Sequence, residues 1–309
     1  MDKLRLLSLF SGIGAFEMAL RNIEIDYELV NFCENDKYAI KAYCAIHDVD
    51  ESLNLGDITK INIENLPKDI DLITHGSPCQ DFSVAGLQRG GDEGSKTRSS
   101  LMWNTVEIIK HCKPKYVIWE NVKNVLSKKH KHNFDKYLKT LELLGYTNYW
   151  DILNSKHYGI PQNRERVFVI SILDEHKPYK FPESKKLNLS ITDLLEDYVE
   201  DKYYMSNVCI EKMKKYAPKT IEEGIAPTLT TELSHSTGKN VSPKLCKVIG
   251  EYRRITPREA FRLMGVSDID IDKLQSVNIP ETQQYKMAGN SIVVNVLEEI
   301  FKNLFEIND

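Results

Sequence analysis

Between Leu4 and Leu173, short apolar runs alternate with segments of helical period, and this alternation restricts the fold more than any other feature of the chain. "LRLLSLF" (4–10) reads as a buried strand, "SGIG" as a turn and "AFEMALRN" (15–22) as a helix. "ELVNFCE" (28–34) is a second strand, followed by the helix "DKYAIKAYCAIH" (36–47). "IDLITHG" and "KYVIWEN" are further strands, with the helix "SLMWNTVEIIKHC" between them. "FDKYLKTLELLGY" is a helix stopped by Gly145, and "ERVFVISIL" is a last β-branched run. Strands separated by helices predict βαβ units, hence an α/β fold with a doubly wound, mostly parallel sheet.

After Glu175 the pattern changes. "DEHKPYKFPESKKLN" has the Pro- and Lys-rich composition of a linker, and the stretch to about Gly250 has weak periodicity, which predicts a small, irregular second lobe. "ITPREAFRLMG" is a helix with Thr256 as N-cap, Pro257 at its first position, Glu259 completing a capping box and Gly265 at its end. In "NSIVVNVLEEIFKNLF" the apolar residues fall at 292, 293, 296, 297, 300, 301, 304 and 305, the stripe of a helix packed on a core.

At 309 residues the chain is long enough for one large and one smaller lobe. No apolar run reaches the roughly 20 residues that span a bilayer, and the N-terminus lacks the pattern of a signal peptide. Six scattered cysteines with no C-x-x-C spacing argue against a zinc site and a disulfide framework, and for a cytoplasmic chain with free thiols. The formal charge of −4 leaves the partner undecided. The run Lys128 to His132 reads first as a solvated face.

Several short stretches carry chemistry. "LFSGIGAFE" runs from a strand into G-x-G at a helix start, the ligand end of such a sheet, although a plain structural turn explains it as readily. The third glycine of a dinucleotide fingerprint is replaced by Glu17, a carboxylate that would repel a diphosphate. Glu34, ending the second strand, suits a ribose diol, and Asp57 after Gly56 could accept from an adenine amino group or simply form a turn. Together these positions fit a nucleoside with a cationic tail, S-adenosylmethionine rather than NAD. Cys79 in "GSPCQDFS" could be a buried core thiol, but its place at a strand end before a glycine-rich loop favours a nucleophile. Glu120 in "WENV" ends another strand. Arg164 and Arg166 in "QNRERV" would share a face if extended, and each of these charged residues taken alone reads first as half of a surface ion pair.

Read together, "LFSGIGAFE", "CEND", "GDIT", "GSPCQDFS", "WENV", "QNRERV", "RRITPREAFRLMG" and "AGNSIVVNV" resemble the cytosine-C5 DNA methyltransferase family in order and spacing. Only about residues 175 to 250 lie outside the resemblance. It implies a class I S-adenosylmethionine-dependent methyltransferase domain over residues 1–174 and 285–309, with a target-recognition domain over 175–284. It implies that Cys79 adds to C6 of cytosine, Glu120 bonds N3 and the exocyclic amine, Arg166 holds O2 and Arg164 supports the loop. The cytosine would be flipped out of the duplex, and the loop carrying Gly86, Gly90, Gly91 and Gly94 would close over it. By the same carry-over Phe10, Gly12, Gly14, Glu34, Asn35, Asp57, Ile58, Pro78, Leu101, Asn290 and Ser291 would line the S-adenosylmethionine site, with no metal. Gln80 and Ser83 would contact the DNA, as would Thr228 and Leu229 in "APTLTTE", which resembles the Thr-Leu element of the family's recognition domains but reads equally as a plain loop. Ser11 and Ala15 stand where the family often has alanine and glycine, both small replacements.

The implied partner is double-stranded DNA, with a monomer, no membrane, and either a paired restriction endonuclease or a solitary role. Two other functions use the same fold: methylation of transfer RNA, which would show as activity on RNA and not DNA, and a catalytically silent nucleic-acid-binding module. The intact set Cys79, Glu120, Arg164 and Arg166 speaks against the silent module.

Overall fold

The apolar runs of the first half form the strands expected of them in the computed structural model, which describes residues 3–78, 92–94, 98–208, 210–211, 224–231, 246–248 and 251–307. The chain divides into two units: Met1–Leu153, Glu165–Pro182 and Ile300–Asp309 form the first, and Asn154–Arg164 and Glu183–Glu299 the second.

The first unit is built on a six-stranded sheet of order β2-β1-β3-β4-β7-β5. Its strands are β1 (Leu4–Leu9), β2 (Tyr27–Cys33), β3 (Leu72–His75), β4 (Tyr116–Val122), β5 (Tyr146–Asn154) and β7 (Glu165–Leu173). β2, β1, β3 and β4 run parallel, whereas β7 is antiparallel to β4. An isolated parallel bridge between Phe32 and Asn54 continues the sheet beyond β2. Helices α1 (Ala15–Asn22), α2 (Lys37–His47), α3 (Met102–Cys112) and α4 (Lys131–Leu143) connect the strands. Asp36 starts α2 by accepting from the amides of Tyr38 and Ala39. Side chains from β1, β3, β4 and β7 form one buried cluster with Met102, Val106 and Ile109 of α3 and Phe134, Tyr137 and Leu141 of α4. β3 is buried along its whole length, as expected of a central parallel strand.

The second unit carries short paired segments, β6 (Gln162–Asn163) with β8 (Ala226–Pro227) and β9 (Cys246–Val248) with β10 (Glu251–Arg253). Three helices follow, α5 (Pro257–Arg262), α6 (Asp268–Ser276) and α7 (Glu281–Asn290). The expected capping box of α5 is present, with Thr256 and Glu259 bonding reciprocally. Arg253 and Glu259 form a buried bidentate pair at 2.6 and 2.7 Å beneath it. The last helix, α8 (Val294–Leu304), buries the expected stripe at 296, 297, 300 and 301; Ile292 and Val293, just ahead of it, are buried too, while Leu304 and Phe305 are half-buried.

Candidate active site

The register of the sheet aligns four of the chemistry-bearing stretches. Leu9 is the partner of both Cys33 and His75, and His75 of Trp119, so one row crosses β2, β1, β3 and β4. One residue farther along each parallel strand stand Glu34, Phe10, Gly76 and Glu120. This is the carboxyl edge of the sheet, and between β1 and β3 it is the topological switch point where open α/β sheets bind ligands.

The turn after β1 is held open there. Phe10 has φ 53°, a left-handed conformation rare for an aromatic residue, and Gly12 and Gly14 follow at 56° and 81°. A Cβ on Gly14 would lie 2.0 Å from Nε2 of His47, which itself bonds the Ile13 carbonyl at 3.0 Å. A Cβ on Gly12 would meet nothing within 4 Å. The turn is thus tight against α2 on one side and open above Gly12.

Glu34 ties this turn to the tip of β2. Its Oε2 accepts from the Gly12 amide at 2.9 Å, and its Oε1 from the Asn35 and Asp36 amides, both at 2.8 Å. A carboxylate offers about four acceptor positions. Glu34 therefore has room for about one further hydroxyl, on Oε2, and not for the two that the sequence alone allows. Asp57 accepts through Oδ1 from the Thr59 amide and hydroxyl, and the amide bond first of all lowers its pKa. Phe10 and Leu101 pack half-buried on the cluster to which buried Ile58 belongs. An open turn and a carboxylate with a spare acceptor fit the sugar of a nucleoside.

Glu17 plays no part in selecting that ligand by repulsion, contrary to expectation. It is fully buried in α1, accepts from the Tyr43 hydroxyl at 2.8 Å, and burial raises its pKa, so it turns toward the core and away from the turn. The missing third glycine remains as the sequence's mark of a site without a pyrophosphate.

Farther along the edge, Arg166 Nε lies 3.1 Å from Glu120 Oε1, the two side chains being 16% and 12% exposed. Register explains the pair. Val122 is opposite Arg166 and Glu120 is opposite Phe168, so Glu120 and Arg166 are diagonal neighbours on one face of an antiparallel ladder. Arg166 also donates through Nη1 to the Glu165 carbonyl. A guanidinium has five N–H donors, so others remain for a ligand.

Arg164 does not share that face. It lies between β6 and β7 in the second unit, 3% exposed, and donates to the carbonyls of Leu229, Gly289 and Ser291 at 2.9, 3.0 and 2.7 Å. The extended conformation assumed for "RER" is interrupted at Arg164, which sends the two arginines to separate partners. Leu229 is 1% exposed, and its amide donates to buried Gln162, while the Thr228 hydroxyl donates to the Asn163 carbonyl. Asn290 ends α7 and Ser291 caps it, also in the second unit. Gln162 binds Leu229 and, through Nε2, the Leu263 carbonyl, a connection with no periodic signal in the sequence.

Cys79, Gln80 and Ser83 lie outside the described residues, as do Gly86, Gly90 and Gly91. Among described thiols, burial raises Cys33 to about 12 and Cys112 to about 11, which keeps both in the unreactive protonated form. No group of three His, Cys, Asp or Glu side chains suited to a metal occurs among the described residues. The run Lys128 to His132 is more than a solvated face: Lys128 and Lys129 are exposed, but His130 is buried and His132 bonds Asp92 at 2.6 Å.

Residues 4–306 match the C-5 cytosine-specific DNA methylase family. The chain is 39% identical over 360 residues to the type II methyltransferase M2.ScrFI of Lactococcus lactis subsp. cremoris, covering 98% of this chain and 99% of that protein. It is 32% identical over 433 residues to the orphan methyltransferase M.SPRI of Bacillus phage SPR, covering 98% of each. In fold it resembles the S. pombe Dnmt2 methyltransferase, with a TM-score of 0.80 and 23% identity over 98% of this chain and 99% of that one. Similarity that runs through both units and takes in every stretch meeting at the carboxyl edge places the chain in the C-5 cytosine-specific DNA methylase family, as a DNA cytosine-C5 methyltransferase.

Proposed function

We propose that the protein methylates C5 of a flipped-out cytosine within a specific duplex DNA sequence, through a covalent adduct between Cys79 and C6. The observation that carries this reading is the single row across the sheet that sets Phe10, Glu34 and the Glu120–Arg166 pair along one edge. S-adenosylmethionine, when bound, supplies an electrophilic methyl group. Phe10, Gly12, Ile58 and Leu101 form its bed, Glu34 accepts from its ribose, and Asp57 accepts from its adenine amine. Gly14, Asn35, Pro78, Asn290 and Ser291 complete the proposed set.

The chain's own residues make C5 reactive. The Cys79 thiolate forms a bond to C6 and pushes electron density to C5. Glu120 accepts from the exocyclic amine and shares a proton with N3, which stabilises the charge that addition creates. Arg166 donates to O2 and, through Nε, holds the Glu120 carboxyl in place. Once C5 carries the methyl group, a base takes its proton, the C–H electron pair re-forms the C5–C6 double bond, and the C6–S bond breaks to release the thiolate. Arg164 touches no reacting atom in this scheme; it positions the segments of Leu229, Gly289 and Ser291. Residues 175–284 act as the DNA-recognition part, with Thr228, Leu229, Gln80 and Ser83 toward the DNA. The protein acts as a monomer, and the relatives' two designations, type II and orphan, frame the remaining alternative: a paired restriction endonuclease or none.

The test is transfer of labelled methyl from S-adenosylmethionine to mixed-sequence duplex DNA and, in parallel, to transfer RNA, with the DNA product mapped at base resolution. Label on C5 of cytosine in one DNA sequence context, lost in Cys79→Ser while S-adenosylmethionine still binds, is the expected result. Label on RNA alone, or full activity of Cys79→Ser, would overturn the reading. Protection of the mapped site from a nuclease of the same cells would identify a paired endonuclease.

A further inference from the structure

Three side chains without a part in that scheme converge on the two residues ahead of Cys79. Asn121, 1% exposed, donates through Nδ2 to the Ser77 carbonyl at 3.1 Å. Ser99 donates through its hydroxyl to the Pro78 carbonyl at 2.8 Å. Trp119 donates through its indole nitrogen to the Ser77 hydroxyl at 3.0 Å. The Asn121 amide is held at its other end too, since Oδ1 accepts from the Val122 amide at 2.9 Å. These donors come from β4 and from the 3₁₀ turn Arg98–Leu101, two separate elements that both follow Ser77 and Pro78 in the sequence.

Two successive carbonyls are thus fixed by side chains where the strand β3 has already ended at His75. Buried carbonyls must find donors, but a structural need alone would be met by any nearby amide. Here each carbonyl has its own buried side-chain donor, and Asn121 Nδ2 also reaches the Ser77 hydroxyl at 3.4 Å. The Pro78 carbonyl belongs to the peptide bond that joins Pro78 to Cys79, and the planarity of that bond passes its orientation on to the Cys79 nitrogen and Cα. Proline's fixed φ leaves Pro78 little freedom on the other side.

We propose that Ser99 and Asn121 are positioning residues for the Cys79 nucleophile, setting the peptide plane from which the thiol is presented to C6. Asn121 is adjacent to Glu120 on β4, so one strand both carries the group that stabilises the adduct and fixes the segment that carries the nucleophile. The inference rests on the assignment of Cys79 made above.

The experiment uses the full chain with Ser99→Ala, which removes one oxygen and little volume, and the isosteric Asn121→Asp. Four quantities are measured for each: kcat and KM on duplex DNA, S-adenosylmethionine affinity, the thermal midpoint, and the pH profile of Cys79 alkylation by iodoacetamide, resolved by peptide mass spectrometry. Loss of one positioning bond is expected to lower kcat about tenfold, with KM and cofactor affinity within about twofold and the alkylation profile unchanged. Unchanged kcat in both variants would overturn the inference. So would a shifted alkylation profile, which would mean that the residues tune the thiol, or a lowered thermal midpoint with kcat and KM worsening together, which would mean a general loss of packing. Cys79→Ser run alongside separates the two levels: if it retains full activity, the assignment of Cys79 fails whatever the other variants do.

Discussion

A methyl group added at Gly14 should destabilise the protein far more than one added at Gly12, although both glycines lie in the same turn with positive φ. A left-handed conformation costs an L-residue about 1–2 kcal/mol, partly offset by about 0.4–1 kcal/mol because alanine restricts the unfolded chain. Gly12→Ala meets no atom within 4 Å, so it should cost about 1 kcal/mol or less. At Gly14 the new Cβ would overlap the His47 ring, 2.0 Å away at Nε2. That ring cannot swing aside freely, because it bonds the Ile13 carbonyl and lies 4.5 Å from the Tyr43 ring. Displacing it forfeits about 1 kcal/mol of hydrogen bonding and about 0.5–1 kcal/mol of ring contact, for a total of about 2–3 kcal/mol. Urea unfolding followed by circular dichroism, on Gly14→Ala in the wild-type and His47→Ala backgrounds, isolates the clash as a coupling of about 1.5 kcal/mol. An equal cost in both backgrounds would refute the argument. Cofactor binding should rank the other way, since the Gly12 methyl would enter the open space above the turn and weaken S-adenosylmethionine affinity directly.

Glu120→Gln removes the carboxylate charge opposite Arg166 and should slow single-turnover methyl transfer on the order of a hundredfold, with DNA affinity measured by anisotropy nearly unchanged. His75 is fully buried, and burial lowers its pKa to about 3, well under the unfolded value of about 6.5. Below pH ~6.5 the unfolded chain therefore takes up a proton that the native state refuses, and stability falls by about 2 kcal/mol between pH ~7 and ~5. His75→Gln should remove that component, read as a shallower pH dependence of the urea midpoint; identical slopes would contradict it. Glu259→Gln leaves Arg253 buried without its counter-charge and should cost about 3–5 kcal/mol in the same unfolding assay.

What the sequence disclosed and what it hid divide along physical lines. "ERVFVISIL" is β7 end to end because the buried centre of the strand, 167–172, is a nearly continuous apolar run, and the capping box of α5 is written in residues three apart. β5 went unannounced because, lying at the sheet edge, it mixes buried and exposed positions without alternation. α6, "DIDIDKLQS", has the period of a strand, but Ser267 caps its first turn and Asp268 and Asp270 lie at the favourable end of its dipole. Of the site, Glu34, Phe10 and Glu120 were legible as strand-end residues. The pairing of Glu120 with Arg166 was not, because it depends on the direction of β7, and the partners of Arg164 were not, because they lie 65, 125 and 127 residues away. The roles of Ser77, Ser99 and Asn121 are equally silent in one dimension.

The reversal of β7 accounts for the chemistry this edge can support. In a wholly parallel sheet the first residues of every strand lie at the amino edge, away from the ligand crevice. Because β7 runs against β4, its opening "ER" arrives at the carboxyl edge beside the closing "ENV" of β4. The register then matters as much as the direction. A slip of one residue would turn Arg166 to the opposite face, and a slip of two would carry it along the ladder beyond a 3.1 Å contact with Glu120. Inserting one residue within β7, between Arg166 and Phe168, should therefore leave the apolar centre of the strand in place yet abolish methyl transfer. The same insertion beyond Leu173, after the ladder, should spare it. If both insertions behave alike, the antiparallel register is not what places the guanidinium beside the carboxylate during the reaction.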